Sequence, residues 1–372
     1  MILRIEKLQD ACNKILPAVD YAGTAMSEKL QLSTIGNRLY VSGRSTDYFV
    51  KVAIDNDDSV DFFATVNANK FLKLISQTTS ESVELIVNDK NLIVKGNGEY
   101  KIPIDYVDDE MIRMPEIEIN NVSNEFIVSS EILNSIATFN SRTVAKEGTN
   151  NILRTMYYMD ELGCITYTQD ACVNSFKLDS PIKVLMPAKL VKLFKLFKEG
   201  DVRLKIGHDA ISNDIIQTKI AFENDFVSIT YILSCDDSLI GKFPASAIRN
   251  SANAVYPYSV ALNRNEVIAM INRLSIFATN VQNPNMCYGI FEFGSGSVTV
   301  YDTNRINKET IYYEGDDINV QGIVSVMLNL NEFKSSVESC NDQNISISFG
   351  DGKAIVVTRG SIRNVIPESN FR

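Results

Sequence analysis

The chain repeats itself, and the repeat limits what it can fold into. The stretch FFATVNANKFLKLISQTTSESVELIVNDKNLIVKGNGEYKIPI begins at Phe62 and reads as a short strand, an amphipathic helix, then two strands about a turn at Asn88 to Asn91. About 120 residues later IKVLMPAKLVKLFKLFKEGDVRLKIGHDAISNDIIQTKIAF, from Ile182, has the same order, and GIVSVMLNLNEFKSSVESCNDQNISISFGDGKAIVVTRGSIRNVI, from Gly322, has it again. A second half is interleaved: LRIEKLQDACNKILPAV, FIVSSEILNSIATFNSRTV and VALNRNEVIAMINRLSIFAT each read as strand then helix and precede a hairpin-like stretch. In the third hairpin, Ile290-Glu292 and Val298-Val300 alternate across the Gly294 to Ser297 turn, as a half-buried hairpin requires. Self-similarity at a long fixed period marks a chain built from one unit. The 372 residues, too many for one ordinary core, therefore divide into three copies at 1–122, 123–250 and 251–372, each with two helices and about eight strands. The joins, EINNVSN near 118–124 and RNSANAVYPY near 249–258, are polar and Asn-rich, which suits linkers.

Six helices are predicted, at 5–19, 67–78, 129–146, 187–198, 263–279 and 329–342. Asn263 with Glu266, and Asn329 with Glu332, have the spacing of a capping box. Pro187 stands where a first-turn proline is tolerated. In PAKLVKLFKLFKEG, lysines alternate with apolar pairs: Leu190-Val191, Leu193-Phe194 and Leu196-Phe197 form a core stripe. At the α-helical angle the lysines drift around the remaining face and reach solvent together.

Charge is distributed unevenly. The six helices hold thirteen cations: Lys7, Lys14, Lys70, Lys73, Arg142, Lys146, Lys189, Lys192, Lys195, Lys198, Arg264, Arg273 and Lys334. They hold seven acids, a surplus of six positive charges, while the whole chain is at −10, so strands and loops sum to −16. A lysine-rich helix face is most simply a solvated one, and a basic amphipathic helix also suits an anionic membrane. Segregation across a repeated unit points further, to a positive inner face that attracts a polyanion behind a negative exterior.

Enzymatic and metal chemistry find little support. His208 is the only histidine, read in a surface turn, so no Ser-His-Asp or Cys-His set repeats. DNDDSVD at Asp55 to Asp61 lacks the glycine and closing glutamate of a calcium loop, and GSGS at Gly294 lacks the Lys-Ser/Thr of a phosphate loop. Neither a cofactor nor a metal is expected. The six cysteines, Cys12, Cys164, Cys172, Cys235, Cys287 and Cys340, form no C-x-x-C pair and read as reduced thiols of a cytoplasmic protein. No apolar run approaches the roughly 18 residues of a membrane span. MILRIEKLQD becomes charged at once, so no signal peptide is expected.

The ordered repeats resemble the bacterial DNA polymerase III beta subunit, the sliding clamp, over essentially the whole chain. TVNANKFLKLI and LMPAKLVKLFKLF are similar to that family's V-P-A-x-x-F/L-x-x-L segments, GKFPAS to its G-x-F-P-D-Y, and VIPES to its hydrophobic-M-P ending. The resemblance implies an α+β, ring-forming chain of three tandem clamp domains, each two helices on antiparallel sheets. It further implies a homodimer encircling double-stranded DNA, non-catalytic, conferring processivity on a polymerase. Domains of 120 residues are roughly 30 Å wide, and six in a ring leave a hole of roughly 15 Å radius. Implied partners are the polymerase catalytic subunit, the clamp-loader subunit and other proteins carrying a clamp-binding motif, and no membrane. A clamp-like scaffold that binds replication proteins without encircling DNA is the alternative.

By motif, the implied partner-peptide pocket comprises Leu153, Thr168, Ala171, Val173, Pro244, Ile355, Val365, Ile366 and Pro367. The family's T-D-G-H-R-L reads TQDACV here, Ala245 and Ser246 follow Phe243-Pro244, Glu368 replaces an apolar residue, and the P-I-L segment near residue 30 is missing. An altered peptide preference follows, as in a divergent copy carried by a phage or mobile element. The implied dimer contact sets Tyr100 and Ile102 against Ile276 and Phe277.

Overall fold

The computed structural model describes residues 1–19, 24–56, 60–145, 149–212, 215–234, 237–278, 286–315, 320–340, 342–350 and 352–369. The helices are α1 (Ile5–Ile15), α2 (Ala68–Gln77), α3 (Ser130–Phe139), α4 (Ala188–Leu193), α5 (Asp237–Lys242), α6 (Ala245–Ala252), α7 (Arg264–Ala278) and α8 (Leu330–Glu338). All six expected helices form, several shortened by a final 3₁₀ turn: Leu16–Ala18 after α1, Asn140–Thr143 after α3, and Phe194–Leu196 after α4. Asn263 and Asn329 cap α7 and α8 as expected, accepting from the backbone N–H of Glu266 at 3.3 Å and of Glu332 at 3.4 Å. The stretch near 249–258 is no free linker, because its first residues complete α6, where Ser and Asn obscure an otherwise helical run. Pro187 ends the strand Lys183–Pro187 opposite Met156, just before α4, and so stands outside the helix's first turn.

The chain forms two compact units, Met1–Asn134 with Lys189–Cys235, and Ser135–Ala188 with Asp236–Arg372. In the first unit an eight-stranded antiparallel sheet runs Val122–Ser129, Asp201–Ser212, Ile215–Glu223, Val227–Leu233, Tyr48–Asp55, Arg38–Arg44, Lys29–Ile35, Phe63–Asn67. A four-stranded sheet runs Ile2–Arg4, Ser82–Asn88, Asn91–Lys95, Glu99–Pro103. The second unit repeats the plan. Its eight strands run Lys183–Pro187, Met156–Asp160, Gly163–Tyr167, Ala171–Ser175, Ile362–Ile366, Ile355–Arg359, Asn344–Phe349, Tyr258–Asn263, and its four run Lys308–Tyr312, Ser297–Asp302, Tyr288–Phe293, Val324–Asn329.

The sequence order hides an exchange. The strand leading α1, Ile2–Arg4, pairs with Ser82–Asn88 of the other half of its repeat, and the strand leading α2, Phe63–Asn67, pairs with Lys29–Ile35. Each half thereby lends its first strand to the other's sheet, which knits the halves together. The helices cover apolar sheet faces. Phe71, Phe194, Phe197 and Phe222 are fully buried in the first unit, with Phe194 and Phe222 rings 4.6 Å apart. In the second, Phe293 stacks on Phe349 at 3.9 Å and Phe291 meets Phe333 edge-on at 5.0 Å. Burial of each such ring contributes about 1.5–3 kcal/mol.

The join at 118–121 is pinned to the sheet. Asn120 and Asn121 donate backbone N–H groups to the buried Asp209 carboxylate, and Lys219 Nζ donates to Asp209 Oδ2 at 2.8 Å and to the Glu118 carbonyl at 2.7 Å. Gly207 lies beneath the join; a Cβ there would meet Ile119 Cγ2 at 2.1 Å and the Asn121 carbonyl oxygen at 2.4 Å. His208 belongs to the strand Asp201–Ser212, opposite Thr218, and not to a turn. Its ring Nδ1 lies 3.1 Å from Thr218 Oγ1 on the surface. The described cysteines Cys12, Cys164, Cys172, Cys287 and Cys340 are buried free thiols, and Cys235 lies outside the described residues. Among the described residues no helix is long and apolar enough to cross a membrane.

Candidate nucleic-acid interface

The lysine segment sorts its side chains by residue type. Lys189, Lys192, Lys195 and Lys198 are exposed, while Leu190, Val191, Leu193, Phe194, Leu196 and Phe197 are buried. A purely α-helical segment would let a three-residue repeat slip by about 60° per step. Tightening into a 3₁₀ turn over Phe194–Leu196 brings the local period close to three, and all four lysines stay exposed. With Phe194 and Phe197 at 0% exposure, neither ring is available to lipid.

Two further helices of the same unit add cations. The Asn67 side chain caps α2 by accepting from the Lys70 N–H at 3.1 Å, and Lys70 and Lys73 are exposed. Lys7 on α1 is exposed as well. Lys14 and Lys198 share one acid: Lys14 Nζ lies 2.6 Å from Asp10 Oδ2, and Lys198 Nζ lies 2.7 Å from Asp10 Oδ1. Partial burial pushes the Asp10 carboxyl up, and the two lysines more than offset this, holding it below its ordinary value. Among the described residues, Lys7, Lys70, Lys73, Lys189, Lys192 and Lys195 have no carboxylate within ion-pair distance.

The second unit's cations are engaged differently. Arg142 donates to the Ser335 carbonyl at 3.3 Å and to Glu338 Oε2 at 3.4 Å. Arg264 donates to the Glu338 carbonyl at 3.3 Å, and Lys334 Nζ lies 3.7 Å from Glu338 Oε1. Arg273 binds Glu309 with two hydrogen bonds, at 2.8 and 2.6 Å. Lys146 lies outside the described residues.

The residues expected to line a peptide pocket separate by strand register. Ala171 stands opposite Val365 and Tyr167, and Val173 opposite Ile165 and Arg363, so these side chains share one face of the eight-stranded sheet. Ile355 pairs with Ile366, one position out of phase with Val365, and both point to the opposite face. There they belong to the third repeat's own core, fully buried, and are withdrawn from the pocket wall. On the first face Phe243 stacks on Tyr158 at 4.8 Å and meets Tyr167 edge-on at 5.2 Å. Arg249 reaches the buried Asp160 carboxylate with both terminal nitrogens, at 2.6 and 2.5 Å, which fixes α6 behind Pro244. Leu153, Ala171, Val173 and Val365 are buried, Thr168 and Pro244 half-buried, and Pro367 exposed. Sequence reading missed Tyr158, Tyr167 and Phe243. Their signal was available as aromatic residues on the face shared with Ala171.

No protein-family model matches the sequence, and no curated protein matches it. Solved structures do match in shape. The DNA polymerase sliding clamp of Bacillus subtilis superposes with a TM-score of 0.77 at 15% identity, covering 100% of this chain and 99% of that one. The sliding clamp (DNA polymerase III subunit beta) of Pseudomonas aeruginosa, bound to griselimycin, gives 0.82 at 14% identity over 100% and 99%. The DNA polymerase III subunit beta of Borrelia burgdorferi, in complex with a natural product, gives 0.77 at 12% over the same shares. The fold is that of a DNA sliding clamp.

Clamp architecture explains the repetition in the sequence: an α+β chain of tandem modules, two helices on antiparallel sheets in each. Among the described residues, the two four-stranded sheets have Glu99–Pro103 as an edge strand in the first unit and Lys308–Tyr312 in the second. Tyr100 is exposed on the former, whereas Ile102, 4% exposed, is turned into its own core and offers no side-chain contact. Ile276 and Phe277, at the end of α7, are 74% and 60% exposed.

Proposed function

We propose that this chain is a DNA sliding clamp: a non-catalytic cytoplasmic protein that closes as a homodimeric ring around duplex DNA and tethers a polymerase. The observation that supports it best is the unpaired lysine face of α1, α2 and the lysine segment. Ammonium groups are strongly hydrated and flexible, suited to brief or water-mediated phosphate contact without sequence preference. A closed ring needs no tight grip, since topology retains it.

The sheet edges supply the closing logic. Within the first unit, Tyr48–Asp55, fourth strand of one half-repeat, pairs with Val227–Leu233, last strand of the following repeat. Within the second, Ala171–Ser175 pairs in the same sense with Ile362–Ile366. The fourth strand of the third repeat is Lys308–Tyr312, and the last strand of the first repeat's four-stranded sheet is Glu99–Pro103; among the described residues both lack such a partner. Pairing these two edges between copies repeats the junction already made twice, and exposed edge strands otherwise invite uncontrolled association. Three tandem domains, 1–122, 123–250 and 251–372, would then give six in the ring. Tyr100, Ile276 and Phe277 would flank the new junction. Polymerase, clamp-loader and other motif-bearing partners would present a short peptide to Thr168, Pro244 and Pro367, rimmed by Ala171 and Val365.

The test combines solution mass with retention on DNA. The expected result is a two-chain mass, retention on closed circular duplex, and release when the circle is cut. A one-chain mass, or equal loss from circles and linear DNA, overturns the reading.

A further inference from the structure

Ten of the described helix cations fall into two populations, with Lys14 and Lys198 set apart by their shared Asp10. This inference rests on the clamp reading and asks which side chains meet phosphate. We infer that phosphate contact is made by the first unit's Lys7, Lys70, Lys73, Lys189, Lys192 and Lys195, while the second unit's Arg142, Arg264, Arg273 and Lys334 are structural.

The last carbonyls of a helix lack intrahelical partners and carry the negative end of its dipole. At the end of α8, Arg264 serves the Glu338 carbonyl, one of those orphans, and Arg142 adds a second donor to the Ser335 carbonyl, which already accepts from the Ser339 N–H. The Glu338 carboxylate, beside them, is held by Arg142 and Lys334. Three cations thus converge on one helix terminus and one carboxylate. Arg273 is held by Glu309, an acid on the edge strand Lys308–Tyr312, and the bidentate grip pushes the guanidinium's proton affinity up further. A guanidinium engaged by a carboxylate in planar two-point geometry has its charge offset there, and must break both bonds to offer a phosphate that same fork. A free, hydrated ammonium gives up only water. The six lysines of the first unit are in that second state, exposed and with no carboxylate in range among the described residues. Net charge runs the same way: helix spans 5–19, 67–78 and 187–198 hold eight lysines and two acids, while 129–146, 263–279 and 329–342 hold five cations and five acids.

The test measures binding of a short labelled duplex across a salt series, with native mass and circular dichroism as controls for folding. Each lost phosphate contact lowers the slope of log K against log salt by about 0.9. The triple variant K189Q/K192Q/K195Q is expected to flatten the slope by up to about 2.7 per chain. The variant R142Q/R273Q/K334Q is expected to leave it unchanged. E309Q tests the idea without touching a cation, since freeing Arg273 should steepen the slope by about 0.9. An equal loss in the two triple variants, or no response to E309Q, overturns the division while leaving the DNA reading intact. An unaltered chain with no salt-dependent binding removes both.

Discussion

Lys198 Nζ sits 2.7 Å from Asp10 Oδ1 and joins the end of the lysine segment to α1, 188 residues earlier in the chain. Lys14 takes the other carboxylate oxygen at 2.6 Å. One acid therefore withholds two cations from the face that six others leave free. Asp10→Asn should release both, tighten duplex binding and steepen its salt dependence. Half-exposed pairs of this kind contribute at most about 1 kcal/mol each, so the midpoint of chemical denaturation should shift only slightly. An unchanged salt slope in a folded variant would show that Lys14 and Lys198 do not reach DNA.

The apolar side of the same segment makes the opposite prediction. Phe194 and Phe197 are fully buried, Phe194 against Phe222. Truncating either to alanine should cost about 3–5 kcal/mol, read from urea denaturation. A peripheral membrane protein would instead show little loss of stability and a drop in liposome flotation. Retained stability in Phe194→Ala would contradict the packing described above.

How much of this was legible in the sequence depends on the length scale. The repeat, the helix positions and the exposure of Lys189 through Lys198 follow from local periodicity, which a single sequence records. Sheet partnership does not. Nothing in the order of residues states that Ile2–Arg4 pairs with Ser82–Asn88, because pairing between distant segments is decided by packing. The same blindness misplaced Ile355 and Ile366. Motif position put them in a pocket, and a strand period of two put them on the other face. Ion pairing between segments distant in sequence is hidden too, so the sequence alone leaves Arg142 and Arg273 as free cations, although Glu338 and Glu309 stand beside them.

Asp209 gives a prediction in pH. The hydrogen bond from Lys219, opposed by burial and aided by the Asn120 and Asn121 N–H groups, holds its carboxyl below the ordinary range. A depressed folded value means stability that is present above the unfolded carboxyl value, about 3.9, and lost as pH falls through the folded one. Asp209→Asn should destabilise by about 2 kcal/mol at neutral pH and reduce the steepness of acid unfolding. Thermal melts at neutral and strongly acidic pH decide it: an equal deficit at both would mean that the charge contributes nothing.

Glu332 should behave in the opposite sense. Burial, then the nearby Asp170 carboxylate, push its carboxyl up to about 7. The unfolded chain ionises near the ordinary value while the folded chain stays protonated, so stability falls as pH rises from there toward about 7. The loss is on the order of 2–3 kcal/mol above that window. Glu332→Gln, which keeps the shape, should raise the melting temperature at mildly alkaline pH and leave it unchanged near pH 4. A variant that melts lower under alkaline conditions would mean that the ionised carboxylate is favoured at the α8 N-terminus after all.

The exposed end of α7 gives the sharpest test of ring closure. Ile276 and Phe277 are largely open to solvent in the single chain, so replacing them with aspartate removes little packing and should change the stability of the isolated chain by less than about 0.5 kcal/mol. If the edge strand Lys308–Tyr312 pairs with Glu99–Pro103 of a second copy, as the two junctions within the chain do, those side chains become buried and a carboxylate there is left without a partner. Desolvating an unpaired charge costs several kcal/mol, enough to shift a dimer to monomers at micromolar concentration. Sedimentation of Ile276→Asp/Phe277→Asp should therefore give half the mass of the unaltered protein with the same melting temperature for the separated chains. Circular duplex should no longer be retained, although short-duplex binding through Lys189, Lys192 and Lys195 should persist. An unchanged two-chain mass would place the dimer contact elsewhere on the molecule.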